Sequence, residues 1–387
     1  FPTFNLSGTS GDTSTITTNF GQQPFTYTPP TGYKSLCTTN LPDSTIVQGN
    51  KYMDATLYNG TGATQSITNA AGFKPDWVWI KRRSSTGNHA LVDSVRGPSL
   101  QLSTSDVTVS EVTAATGVTS FNSNGWSLGS GSTGYATNDS GFTYVGWQWQ
   151  AGQGTTSSGT GTGGITSVTQ SVNTTAGFSI VTYTGSGANG TVTHGLGVAP
   201  KMVIVKGRSV AQDWTTWFTG LSGTEFLYLN STMAKSSSAS VWNSTVPSST
   251  VFSLGSSANT NQSSGTYVAY CFAEIAGFSK FGSYTGNGST DGPFVYTGFR
   301  PKFIMIKSTA TANSWHMTDT SRSTYNQAVE TVWANENTAE STSSTQAIDI
   351  LSNGFKIRNS TSEVNNSGTS LIYMAFAENP FKNALAR

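Results

Sequence analysis

Charge is what this sequence has least of. Asp, Glu, Lys and Arg make up 10% of its 387 residues, against about 25% in an average soluble domain. The formal net charge is +1, and the densest basic run, Lys81-Arg82-Arg83, is too short to release many counterions. That excludes a nucleic-acid partner. Cysteine is nearly missing as well. Cys37 and Cys271 cannot build a disulfide scaffold, and Cys271, set in the apolar run 267–272, reads as a buried free thiol. The three histidines, His89, His194 and His316, show no His-x-x-x-His spacing, and no Cys-x-x-Cys pair exists, so neither zinc nor any cofactor is expected. There is no Asp-x-Asp-x-Asp-Gly calcium loop. No run of 18 apolar residues is present, so no membrane-inserting helix is expected.

The lack of acids also argues against catalysis. A glycosidase needs two carboxylates facing one bond. Glu274 and Glu378 fall at matching places, but the corresponding residue earlier in the chain is Ala151, so they read as turn or interface residues. No Gly-x-Ser-x-Gly strand-to-helix context exists for a hydrolytic serine. No catalytic residue is assigned, and the protein is expected not to be an enzyme.

In place of charge the chain has Gly (42 residues), Ser, Thr and Asn, with 35% hydrophobic and 11% aromatic residues. Short apolar runs rich in Val, Ile, Trp, Tyr and Phe are bounded by Gly, Asn, Asp and Ser, the pattern of strands and turns. Ser, Thr and Asn compete with the helix backbone for hydrogen bonds. The expected class is therefore all-β, and the best helix prospect is the weak segment 323–338.

Four anchors recur in the same order three times. The first is an aromatic and a glycine-rich turn: Tyr58-Asn59-Gly60-Thr61-Gly62, Tyr183-Thr184-Gly185-Ser186-Gly187 and Tyr284-Thr285-Gly286-Asn287-Gly288. The second is a proline leading an apolar run: Pro75 before Trp77-Val78-Trp79-Ile80-Lys81, Pro200 before Met202-Val203-Ile204-Val205-Lys206, and Pro301 before Phe303-Ile304-Met305-Ile306-Lys307. The tyrosine-to-proline distance is constant, since 75−58, 200−183 and 301−284 all equal 17. The third anchor is a turn and strand at 124–128, 251–254 and 353–357. The fourth is an apolar closing strand at 144–149, 267–272 and 371–376. The prediction is three tandem β-sandwich-like repeats with long loops, over 51–152, 165–277 and 278–387. A Gly/Ser/Thr linker, 153–164, reads as flexible. Residues 1–50 read as a connector, and the start at Phe1 reads as a portion of a longer chain.

The proline-led runs are apolar at consecutive positions, whereas side chains alternate faces along a strand. Both faces therefore need cover. Trp77, Trp79, Val203, Val205, Phe303 and Met305 are assigned to the core strand of each repeat. One face belongs in the repeat's own sandwich; the other calls for a loop, a neighbouring repeat or another subunit. The lysine closing each run, Lys81, Lys206 and Lys307, is expected to mark the strand's return to solvent. Asp93 with Arg96 and Asp319 with Arg322 have the spacing of a loop-ordering ion pair. Trp214, Trp217, Trp242, Trp315 and Trp333, lying between anchors, are candidate glycan contacts against the commoner fate of core packing.

These anchors, with His194-Gly195-Leu196-Gly197-Val198-Ala199-Pro200 and Tyr373-Met374-Ala375-Phe376-Ala377-Glu378-Asn379-Pro380-Phe381, resemble a repeat domain of unknown function found in marine phage tail-fibre-like and virion structural proteins. Residues 19–33 look like the end of a SPRY or concanavalin-A-like domain. The resemblance implies a virion-surface, extracellular protein that partners other virion proteins, as a tail fibre adhering to host-surface glycan, with fibre symmetry pointing to a homotrimer. A capsid decoration or head-fibre protein and a polysaccharide depolymerase are the alternative expectations.

Overall fold

A computed structural model describes Thr28 and residues 45–106, 110–131 and 133–378. The SPRY-like stretch 19–33, apart from Thr28, and Cys37 lie outside the described residues. The fold is all-β, built from antiparallel sheets, with three α-helices of four residues each among the described residues. The described residues from 45 to 378 belong to one compact unit.

Three large sheets share an order of four strands. In each, an opening strand (Met53–Asn59, Phe178–Thr184, Ser279–Thr285) pairs with a closing strand (Thr143–Trp149, Thr266–Phe272, Ser370–Ala377). The closing strand pairs with the proline-led strand (Trp77–Arg82, Met202–Gly207, Pro301–Ser308), and that with a flanking strand (Ala90–Asp93, Thr215–Phe218, His316–Asp319). The registers agree too: Trp77 lies opposite Trp149, Met202 opposite Phe272 and Phe303 opposite Phe376. Each large sheet is accompanied by a small one, formed by Gln65–Thr68, Gly125–Leu128 and Val118–Asn122, by Gly190–Thr193 and Val251–Leu254, and by Phe294–Tyr296, Gly354–Ile357 and Ile348–Leu351.

The first doubly apolar strand is explained by two cores, while both faces of the second and third lie in one. Val78 and Ile80 pack with Ile67, Trp126 and Leu128 of the first small sheet. Trp77 and Trp79, on the opposite face, belong to a second cluster that runs through all three large sheets. At its centre Trp149, Phe272 and Phe376, one from each closing strand, form a triangle with ring-centroid separations of 6.4, 5.9 and 6.0 Å. Trp77 stacks on Tyr270 at 4.4 Å, and Phe303 meets Trp147 and Trp149 edge-on. Val203, Val205 and Met305 are likewise buried. The second face is thus covered by the other sheets of the same chain.

Three expectations are corrected. The stretch 153–164 is no free linker. Ser157–Ser158 pairs with the strand Thr166–Asn173, Gly161 bridges to Val192, and the N–H groups of Ala151, Gln153 and Gly154 converge on the buried Asp76 carboxylate at 2.6–2.7 Å. Glycine-rich backbone can turn its N–H groups onto one anion, which pins a segment whose composition reads as loose. The segment 323–338 forms no helix; it contains the strand Val332–Trp333, and the Asn326 side chain bonds the backbone of Ile350 instead. Finally, Lys81, Lys206 and Lys307 do not return to water, for all three are fully buried.

Candidate functional site

Two of the buried lysines, Lys81 and Lys307, lead to the seams between the large sheets, where several of the chain's few ionisable groups lie. Lys81 Nζ donates to the carbonyl of Asn337, and Lys307 Nζ to those of Thr232 and Asn313; Lys206 donates to Gln212. Burial pushes each ammonium down to about 8.

The residue preceding each flanking strand spans a seam in the same sense. His89 Nε2 lies 3.0 Å from the carbonyls of Trp333 and Glu336. Its Nδ1 accepts from Trp79 Nε1 at 2.7 Å, so Nε2 carries the proton and donates. Burial, with Lys81 nearby, holds the His89 pKa down to about 3. Trp214 Nε1 donates to the Ser103 carbonyl at 2.7 Å, and Trp315 Nε1 to that of Tyr228 at 2.9 Å. The direction is cyclic: first sheet to third, third to second, second to first.

The expected Asp–Arg pairs form, Asp93 with Arg96 and Asp319 with Arg322, all four side chains being fully buried. Each also reaches across a seam. Tyr270 donates to Asp93 Oδ2 at 2.7 Å, and Trp147 Nε1 to Asp319 Oδ2 at 3.0 Å. Arg96 continues to Glu111, which binds Arg208, and Arg322 continues to Glu340, which binds Arg83. Burial raises the Glu111 and Asp319 carboxyls, but bonds from Arg208 and Arg96 to the former and from Arg322 to the latter win and hold both below the usual range. These chains of charge are closed on themselves, which suits holding sheets together and leaves their polar groups occupied. Cys271 is buried and free, and burial pushes its thiol up to about 12, which keeps it an inert thiol. Among the described residues no cluster of His, Cys, Asp and Glu has the form of a metal site. Glu274 and Glu378, the two repeated acids, pair with Lys280 and Arg300.

The candidate glycan contacts do not survive burial. Trp214, Trp217, Trp242 and Trp315 are between 0% and 5% exposed, so none offers a ring face to a sugar. Trp217 donates to the Ser222 carbonyl and Trp242 is the buried last residue of a four-residue helix. Trp333 is partly buried, its Nε1 held by Glu363 at 2.7 Å. What sequence reasoning missed was nevertheless written there: His89, Trp214 and Trp315 share one offset, since 89−75, 214−200 and 315−301 all equal 14. Mixed residue types hid the pattern.

An accessible recess lies elsewhere, beside the third small sheet. A groove of about 760 Å³ is lined by Arg300, Thr324, Tyr325, Asn326, Ile350, Leu351 and Ser352. This lies within the usual 300–1,000 Å³ of ligand sites. Its wall is fixed: Asn326 exchanges two bonds with Ile350 at 2.8 and 2.9 Å, and Ala328 exchanges backbone bonds with Ile348 at 2.8 and 3.0 Å. Tyr325 stands on that wall 85% exposed. A smaller recess of about 430 Å³, at the seam between the first and third sheets, holds Asp54, Lys302 and Ser321. There Ser321 Oγ donates to the Ala55 carbonyl and Lys302 lies 3.6 Å from Asp54.

No curated protein and no solved structure matches the chain. One family does, over residues 48–380, a span that coincides with the compact unit and embraces all three large sheets. The chain belongs to the family described as Domain of unknown function (DUF7483).

Proposed function

We propose that the chain is a non-enzymatic structural and adhesive virion protein, a tail fibre or similar appendage, exposed at the particle surface. In this reading three copies of one β-sandwich-like module, near 51–152, 165–277 and 278–387, close into a ring, and outer loops contact host-surface glycan. The observation that carries it is the Trp149–Phe272–Phe376 triangle, one residue from each closing strand at nearly equal separations. Three like surfaces meeting head to tail either close or polymerise. Here they close, with the donors of His89, Trp214 and Trp315 all running the same way round.

Such a body favours a scaffold. Its buried acids and bases are engaged in latches. It also supplies threefold geometry from a single polypeptide. The apolar face that suggested a homotrimer is filled from within, so association with other virion proteins would use a different surface. Immunogold labelling of particles from the source culture tests the reading. The expected label sits on a tail-end appendage. Label over the shell would replace the fibre by a decoration protein, and unlabelled particles would remove the virion assignment altogether.

A further inference from the structure

We propose that the outer face of the third small sheet, together with the groove beside it, binds an uncharged polysaccharide, with Tyr325 and Tyr296 as platforms for sugar rings. The proposal rests on the adhesive reading and names its contact surface.

The first argument is an element that only one of the three sheets has. The segment after the flanking strand is short in the first sheet (94–96) and second (219–224) but long in the third (320–331). The ring closes at its other seams without such an addition. Within the long segment Ser321 and Arg322 serve the seam, whereas Asn326 and Ala328 fasten it to the edge of its own small sheet. The tip that results holds Tyr325 out into solvent.

The second argument is the row of residues leading to it. Tyr296 lies opposite Gly354, and Gly354 opposite Leu351, which lines the groove. Directly paired residues point to the same face of a sheet, and strands lie about 4.8 Å apart. Tyr296 and Leu351 are therefore about 10 Å apart along one outer face, with the Phe294 ring packed beside the buried Gly354 that lies between them. Tyr296 is 63% exposed and Phe294, next on that face, 47%. The Tyr296 hydroxyl reaches to 3.5 Å from the place a Cβ on Gly298 would take. Val295, Ile350 and Phe355, on the inner face, are buried. Tyr296 and Phe294 are left in water on one face of the sheet, and Tyr325 stands on the groove whose lining includes Leu351 of that same face.

The third argument is charge. Arg300 is engaged by Glu378, and at the far end of the face Lys356, Arg358, Asp291 and Asp349 pair among themselves. The surface offers ring faces, hydroxyls of Thr324 and Ser352 and the Asn326 amide, with its cations already matched. A ligand with apolar C–H faces and many hydroxyls fits this chemistry; a polyanion does not.

Affinity electrophoresis of the 387-residue chain through gels containing dextran, laminarin or galactomannan tests the proposal, with alginate and polygalacturonate as acidic controls. Retardation by at least one neutral polymer is expected. Tyr325→Ala and Tyr296→Ala should each weaken it at least 5-fold, Tyr325→Phe should retain it, and melting curves should not move, because both tyrosines are exposed. Binding of a neutral polymer that survives both alanine substitutions would overturn the groove while leaving adhesion standing. Retardation by the acidic polymers alone would overturn the ligand class. No retardation in any gel would overturn this site and the adhesive reading together.

Discussion

At the residue scale the chain is unusual in where its charge resides. Few ionisable groups exist, and many of them lie in the seams. Removing one partner of a buried ion pair costs far more than the pair contributes, because the other charge is stranded. Asp93→Asn should therefore lower stability by about 3–5 kcal/mol, since Arg96 and Tyr270 both point at that carboxylate; urea unfolding at pH 7 measures it. The three lysines give a pH signature. Each has a folded value of about 8, below the roughly 10.4 of an unfolded chain. Between those values the unfolded state binds more protons, so stability rises with pH. Each lysine should add about 2 kcal/mol by pH 9.5. Cys271, whose folded value of about 12 lies above that of a free thiol, works the other way, as do buried tyrosines such as Tyr183 and Tyr270, whose hydroxyls burial pushes up; an unfolded tyrosine ionises only near pH 10, so below about pH 9.5 the three lysines outweigh them. Unfolding midpoints in urea should climb between pH 8 and 9.5, and Lys206→Met should flatten the climb.

At the scale of elements, the turn after each opening strand is held by a buried asparagine. Asn138, Asn261 and Asn365 are all 0% exposed. Asn261 Oδ1 accepts from the Ser186 N–H at 2.8 Å, while Nδ2 donates to the carbonyls of Ala188 and Gly255; Asn138 and Asn365 repeat the set. The opening tyrosine closes the same turn: Tyr58, Tyr183 and Tyr284 donate to Thr137, Thr260 and Val364. The glycines of these turns are required. Gly62, Gly187 and Gly288 have φ of +68°, +74° and +69°, where side chains are strained. Asn261→Ala should cost about 3 kcal/mol, because several buried backbone groups lose their partner at once. Thermal denaturation reads the loss, and Asn261→Asp should not restore it, since a carboxylate cannot donate to two carbonyls. The tyrosine–glycine turn and the proline-led strand were legible in the sequence. The asparagine was not singled out, although it precedes Tyr144, Tyr267 and Leu371 of the closing strands by a constant step, 144−138, 267−261 and 371−365 all equalling 6. A single Asn carries no hydrophobic pattern, and in a chain this rich in Asn it does not stand out.

At the scale of the whole molecule the three large sheets depend on one another. The central cluster includes residues from every one of them, so no sheet can leave without exposing the triangle. Equilibrium unfolding should be a single transition, with tryptophan fluorescence and far-ultraviolet circular dichroism coincident. A sheet unfolding ahead of the others would split the two probes. Trp149→Ala should cost about 3–5 kcal/mol and steepen no part of the curve selectively, because its ring touches both other closing strands.

The all-β class, the recurring anchors and the double burial of the proline-led strands followed from the sequence alone. They rest on local rules: alternation of faces, strand-forming side chains and glycine at turns act over a few residues. What covers the second face was decided only by tertiary structure, and so were the fate of Lys81, Lys206 and Lys307, the burial of Trp214, Trp217, Trp242 and Trp315, and the anchoring of 153–164. Each depends on a partner distant in the chain, as when His89 meets Trp333 or Arg83 meets Glu340. A lysine closing a strand and a tryptophan in a loop read the same way whether water or another sheet lies beyond them. Only the closing of the three sheets on one another makes the difference.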